Sequence, residues 1–151
     1  MANYFLDTSA FAKHYHVEKG TPEVEQILNE PGSIHYISRL GAVEIQSVFA
    51  LKVRTQEITL QDLQQVQRLI AADFAARRFP VIRMLQSHFQ EAERLIRRHA
   101  PTRAFRTLDS LQLAVALNLS RQGKIDHFVC ADDKLNKVAQ AEGLSVINPA
   151  P

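Results

Sequence analysis

The spacing of apolar residues along the chain switches repeatedly between two periods. Short apolar runs suited to buried strands alternate with longer stretches in which apolar residues recur every three or four positions, as on one face of a helix. The first run, residues 3–7, reads as a strand, with a helix over 9–18 behind it. Thr21 and Pro22, followed by Glu23 and Glu25, read as a helix start with a cap, an early proline and acids in the first turn. That helix stops at Pro31-Gly32. Residues 33–37 read as a second strand, and Ser38 caps a helix reaching Arg54. Thr59 with Asp62 resembles a capping box. Leu60, Leu63, Val66, Ile70 and Phe74 then form one apolar stripe, so two consecutive helices suggest a hairpin standing on the sheet. Residues 79–84 read as the third strand. Ser87 with Gln90 reads as a capping box for a helix to Arg98. Thr107 opens a helix over 108–120, closed by Gly123. Residues 127–131 form a fourth strand, a short helix runs to Gly143, and 144–147 form the last strand. Strand–helix alternation of this kind predicts α/β architecture: three layers, α/β/α, around a parallel sheet of four to five strands with a helical hairpin.

On that frame certain acids fall where chemistry is placed in α/β proteins. Ligands bind outside the carboxyl ends of parallel strands. Asp7 ends the first strand and Asp132 the fourth. Asp109 lies in the first turn of its helix, where backbone N–H groups favour negative charge. Glu44 lies two turns into the helix after the second strand, among Ala42, Val43, Ile45, Val48 and Phe49. A carboxylate near a buried face is costly unless it is paired or binds a cation. Structural alternatives exist for each: a helix cap for Asp7 and Asp109, a salt bridge to Arg39 or Lys52 for Glu44. Asp133 competes with Asp132, although Asp133 suits capping or starting the following helix. If the four acids converge, each close pair costs on the order of 4 kcal/mol at an effective dielectric near 20. Such a site makes sense only with hard cations, and oxygen ligands select Mg²⁺ or Mn²⁺. Thr8 and Ser9 are positioned to orient a carboxylate or a metal-bound water through their hydroxyls.

Composition narrows the class. The chain of 151 residues suits one domain spanning 1–151, with 46% hydrophobic and 23% charged residues. No apolar run approaches a membrane span, and the N-terminus lacks the pattern of a signal peptide, so a cytoplasmic location is expected. The single cysteine, Cys130, excludes an internal disulfide framework and reads as a buried small side chain. A net charge of +2 says little about partners, but Arg94, Arg97, Arg98, Arg103 and Arg106 crowd together before Asp109. Backbone phosphates attract such groups, and Arg103 and Arg106 are the candidates for RNA contact; the others suit a solvated face. Arg77 and Arg78 read as surface residues. His14 and His16, two apart, do not share a helix face and make a poor metal clamp, so His14 reads as a packing or surface residue.

Four stretches resemble the PIN-domain ribonucleases, and within them the VapC toxins of bacterial toxin–antitoxin pairs: YFLDTSAFAKHY (4–15), YISRLGAVEIQSVFA (36–50), FRTLDSLQLAVALNL (105–119) and HFVCADDKLNKVAQAEGLSVINP (127–149). They occur in the family's order and span nearly the whole chain. The resemblance implies metal-dependent RNA cleavage at a four-acid Mg²⁺ or Mn²⁺ site made of Asp7, Glu44, Asp109 and Asp132. It also implies a homodimer and inhibition by a small antitoxin laid along helices near the site. Cys130 departs from the pattern: a hydroxyl residue usually stands two before the last acid. Two other classes compete. One is a non-catalytic PIN-like scaffold binding RNA or protein. The other, a phosphate-transferring enzyme of the haloacid-dehalogenase type with Asp7 as nucleophile, would need a second aspartate where Ser9 stands.

Overall fold

The computed structural model describes every residue from Met1 to Pro151. Five strands form one parallel sheet: β1 Tyr4–Leu6, β2 His35–Ser38, β3 Val81–Ile82, β4 His127–Val129 and β5 Val146–Ile147. Their spatial order is β3-β2-β1-β4-β5. Seven α-helices flank it: α1 Thr8–Phe11, α2 Thr21–Leu28, α3 Arg39–Arg54, α4 Leu60–Ala75, α5 Gln86–His99, α6 Thr107–Arg121 and α7 Asp133–Ala141. The α/β expectation with a parallel sheet of five strands therefore holds.

Side chains along a strand alternate between faces, and β1 uses both. Tyr4 and Leu6 pack with α1 to α4, together with Phe11, Ile45, Phe49, Val66 and Ile70. Phe5 packs on the opposite side with α5, α6 and α7, beside Leu95, Leu113, Leu117, Leu135 and Val138. Phe5 stacks on Phe128 of β4 with ring centroids 5.9 Å apart. Each such fully buried side chain contributes roughly 1.5–3 kcal/mol. Both faces being covered explains why the strands read as continuous apolar runs.

β1 lies in the middle. The chain fills one side of it with β2 and β3, then returns to the other side with β4 and β5. The order reverses between β1 and β4, and the crevice outside their carboxyl ends is where open α/β sheets bind ligands.

Local signals set most helix ends. Thr59 and Asp62 form a full capping box, with Thr59 N donating to Asp62 Oδ2 at 2.9 Å and Asp62 N to Thr59 Oγ1 at 3.0 Å. Gly143, just past α7, takes φ +91°, a left-handed value natural for glycine in a helix stop. Four expectations need correction. The helix over 9–18 is only α1 followed by a 3₁₀ turn at Ala12–His14. Gly20, not Thr21, caps α2; the Thr21 hydroxyl accepts from Glu18 N and donates to Lys13 O, tying the preceding loop. Ser87 and Gln90 do not form a capping box: α5 starts at Gln86 after Leu85, whose N–H donates to the buried His88 Nδ1 at 3.0 Å. Strands are one to four residues shorter than the expected runs, because flanking residues become caps or leave the ladder.

Candidate active site

Asp7 leaves β1 with extended backbone and caps α1. Its N–H donates to Val129 O at 2.9 Å, which fixes it beside β4. Its Oδ2 accepts from Ser9 N at 3.1 Å and from Ser9 Oγ at 2.7 Å. Ser9 Oγ also accepts from Ala131 N at 3.0 Å, so this one hydroxyl joins the ends of the two strands. The cap reading and the site reading of Asp7 are thus compatible: one oxygen caps, the other is left without a protein hydrogen bond. Asp7 is buried, and burial pushes its carboxyl up. The Ser9 bonds oppose this, and the Asp109 charge adds to it.

Glu44, on α3, has no salt bridge. Lys52 goes instead to Glu18 at 3.4 Å and Glu57 at 3.0 Å. Glu44 Oε1 accepts from Gln112 Nε2 at 2.9 Å and from Thr8 Oγ1 at 3.3 Å. Gln112 Nε2 also donates to Thr8 Oγ1 at 2.9 Å, and its Oε1 accepts from Ser38 Oγ at 2.7 Å. Ser38 Oγ in turn accepts from Gly41 N at 2.9 Å, capping α3. This buried chain locks the orientation of the amide. It also explains Gly41, since a Cβ there would meet Gln112 Nε2 at 3.2 Å. Glu44 is pushed up by burial first. The Gln112 and Thr8 bonds hold it back, while the charges of Asp7 and Asp109 raise it further. Gln112 escaped the sequence reading. Its signal was a lone amide in the apolar run Leu111–Leu117, where a buried polar group needs a partner.

Asp109 and Asp132 line one cleft of about 270 Å³ with Ala104, Arg106 and Lys134. Asp109 Oδ2 accepts from the exposed Arg106 Nε at 3.4 Å. Burial raises the Asp109 carboxyl, Arg106 lowers it, and Asp132 raises it again. Asp132 Oδ1 accepts from Lys134 N at 2.8 Å and Leu135 N at 3.3 Å, so Asp132, not Asp133, caps α7. Asp133 begins the helix and accepts from Asn148 Nδ2 at 2.9 Å. Cys130 is buried as expected, and its sulfur also takes the place of the missing hydroxyl. Sγ accepts from Asp132 N at 3.3 Å and lies 3.6 Å from Asp7 Oδ2. Burial, with the Asp7 charge behind it, pushes the thiol far above its usual range.

The four acids share a pattern. Each has one oxygen held by protein donors and one with no protein hydrogen bond. Asp7, Glu44 and Asp109 lie within one another's fields, and Asp132 within that of Asp109. Arg106 is the single cation paired with any of them. A set of carboxylate oxygens short of positive charge fits a hard divalent cation in kind. No three His, Cys, Asp or Glu side chains are close enough to hold an ion together in this arrangement.

The basic residues divide. Arg94, Arg98 and Arg121 are spent on Glu91 and Glu142. Arg106 borders the acid cleft, and Arg103 donates from Nη1 to Lys137 O at 3.2 Å. Arg78 lies 5.4 Å from the Phe79 ring centroid and pairs with Asp73 at 3.6 Å. His14 pairs with Glu25 and lies 3.5 Å from Asp73, a structural cluster outside the acid set.

Comparison with known proteins gives a consistent picture. The family profile described as "PIN domain" matches residues 4–141. No curated protein matches the chain significantly. VapC20 of Mycobacterium tuberculosis, described as a sarcin–ricin loop cleaving toxin, superposes with a TM-score of 0.69 at 17% identity, covering 97% of this chain and 99% of its own. FitAcB of Neisseria gonorrhoeae gives 0.64 at 17% identity, covering 97% of each chain. A toxin–antitoxin complex from Klebsiella pneumoniae gives 0.61 at 14% identity, again covering 97% of each. At these identities the likeness is one of fold.

Proposed function

We propose that this chain, which belongs to the PIN-domain family, is a metal-dependent endoribonuclease and the toxin of a VapBC-type toxin–antitoxin pair, with residues 1–151 acting as one nuclease unit. The observation that carries the reading is the set of four acids at the switch between β1 and β4, each with a free oxygen. Asp7, Glu44, Asp109 and Asp132 would hold Mg²⁺ or Mn²⁺. Bound there, the ion supplies a Lewis acid and a water of lowered pKa for phosphodiester hydrolysis. The protein's own part is positioning. Ser9 fixes Asp7, Gln112 and Thr8 fix Glu44, and the first N–H groups of α7 fix Asp132. Arg106, beside Asp109, offers charge to a substrate phosphate, as does Arg103 further out.

Partners follow from the same reading. Val43, Ile70, Ala71 and Phe74 line a groove between α3 and α4, and Val43 is exposed. An antitoxin helix and a second copy of this chain are the proposed protein partners, and an apolar groove supports a protein contact. No helix is long and apolar enough to cross a membrane, which is compatible with the proposed cytoplasmic location.

The test is cleavage of a mixed, structured RNA pool with Mg²⁺, with Mn²⁺ and with EDTA, alongside Asp7→Asn to exclude a contaminating nuclease. Metal-dependent cutting that vanishes in the variant is the expected result. The alternative reading, a non-catalytic scaffold that binds RNA or protein, draws on the absence of any three acids close enough to share an ion. It predicts neither cutting nor a metal effect.

A further inference from the structure

A second cleft opens beside the acids. It measures about 500 Å³ and is lined by Arg103, Ala104, Lys134, Lys137 and Gln140. It shares Ala104 and Lys134 with the acid cleft, so the two lie side by side across these residues. One wall is the loop before α6; the other is the exposed face of α7, where Lys134 and Lys137 stand three residues apart on one side of the helix.

The charge of this cleft is not balanced. No carboxylate lines it. Arg103, Lys134 and Lys137 make none of the molecule's salt bridges, whereas Arg94, Arg98 and Arg121 in the same layer are all bound to Glu91 or Glu142. Asp133, the acid nearest in sequence, accepts from Asn148. The bond from Arg103 Nη1 to Lys137 O holds the guanidinium against the α7 wall. Its remaining N–H groups have no protein acceptor. Three cations kept together without a partner suit an anion that spans them.

We propose that this cleft is a phosphate track. It holds the backbone of a single RNA strand flanking the bond to be cut, with Lys134 at the junction with the acids and Arg103 and Lys137 beyond it. The choice of polymer rests on the nuclease reading above. Cations on both walls enclose one backbone, as grooves for single strands do. No aromatic side chain lines the cleft, so bases are not stacked there, and the track positions RNA without reading its sequence.

The experiment measures fluorescence anisotropy of a single-stranded RNA of about twelve nucleotides, over a range of salt, with the Asp7→Asn protein so that the strand stays intact. The double variant K134A/K137A in that background is the test. An Arg54→Ala/Arg68→Ala variant, changing exposed residues without ion pairs, is the control. Losing two phosphate contacts should flatten the slope of log K against log salt by about 1.4 and weaken binding about tenfold near physiological salt, equally for unrelated sequences. In the active protein the same double change should raise KM by a similar factor with kcat within about twofold. Circular dichroism checks that both lysine substitutions, being on the surface, leave the fold intact. RNA binding whose affinity and slope are the same with and without the lysines would overturn the track while leaving the nuclease reading in place. Tighter, equally lysine-dependent binding of duplex DNA would overturn the single-strand assignment. No RNA binding by any of the proteins, together with no cleavage, would bring down the track and the nuclease reading together.

Discussion

Two groups of carboxylates stand on this molecule and are treated in opposite ways. Glu91 on α5 and Glu142 after α7 are surrounded by cations. Arg94 reaches both, Arg98 and His99 lie 3.0 Å from Glu142, and Arg121 of α6 lies 2.9 Å from Glu91. The Arg94 hydrogen bond, against the pull of burial and with Arg121 behind it, holds Glu91 down at about 2. Burial alone would raise Glu142, but Arg94, His99 and Arg98 outweigh it and keep it low. Asp7, Glu44 and Asp109 are instead all raised, by burial first and then by neighbouring acids. Compensated acids tie α5, α6 and the end of α7 together. Uncompensated acids mark a place kept short of positive charge, which is where a functional site is expected.

The contrast can be broken from either side. The largest effect should come from Asp7→Asn, which keeps the acceptor for Ser9 but loses the charge. Cleavage should fall by about a thousandfold or more, while the metal-free protein keeps or gains thermal stability. Glu142→Ala should do the reverse, losing about 2 kcal/mol in urea unfolding by stripping Arg94 and His99 of their partner, with the cleavage rate within about twofold of wild type. Equal loss of cleavage in both variants would erase the distinction.

Gln112→Leu comes next. It removes the donor to Glu44 and Thr8 and leaves the Ser38 hydroxyl without its acceptor. Cleavage should drop roughly tenfold and stability by about 1–2 kcal/mol. A loss of stability with an unchanged rate and unchanged metal requirement would make Gln112 merely structural.

The pH dependence separates the two groups by sign. Glu91 and Glu142, depressed in the fold, stabilise it above their ordinary value of 4.5, and that contribution drains away as pH falls below it, for Glu91 down to about 2. Asp7, Glu44 and Asp109 are raised, so the folded chain binds more protons than the unfolded one above the ordinary range of 3.8 to 4.5. Metal-free stability should therefore decline as pH rises through that range and beyond. Urea unfolding in EDTA across pH would show both arms. Asp109→Asn should flatten the descending arm, and Glu91→Gln the acidic one. The smallest effect is expected from Cys130→Ser: the hydroxyl can take over the contacts to Asp132 N and Asp7, so cleavage should change less than about threefold.

How much of this was legible in the chain depends on how far each contact reaches along it. Asp7 and Asp132 could be placed because each closes its own apolar run. The capping box of Thr59 and Asp62 spans three residues and forms as spaced. Ser87 and Gln90 have the same spacing, but burial of His88 moves the helix start to Gln86. Gln112 showed only as a lone amide in an apolar run; its partner could not be read, because the bond to Thr8 crosses 104 positions. Of the cleft beside the acids, Arg103 stood out in the sequence, whereas Lys134 and Lys137 join it only once the loop before α6 is set against α7. The alternation of strands with helices foretold a parallel sheet, whereas the order β3-β2-β1-β4-β5, which sets the ends of β1 and β4 side by side, appears only in the fold.

The most direct measurement is thermal unfolding with Mn²⁺ and with EDTA for the wild type, Asp7→Asn and Glu142→Gln. Saturating Mn²⁺ at about a hundred times its Kd should add about 2.7 kcal/mol, some 5–10 °C for a chain of this size. We expect that rise in the wild type and in Glu142→Gln, and its loss in Asp7→Asn. No rise in the wild type, or an equal rise in Asp7→Asn, would contradict a cation site built on the uncompensated acids.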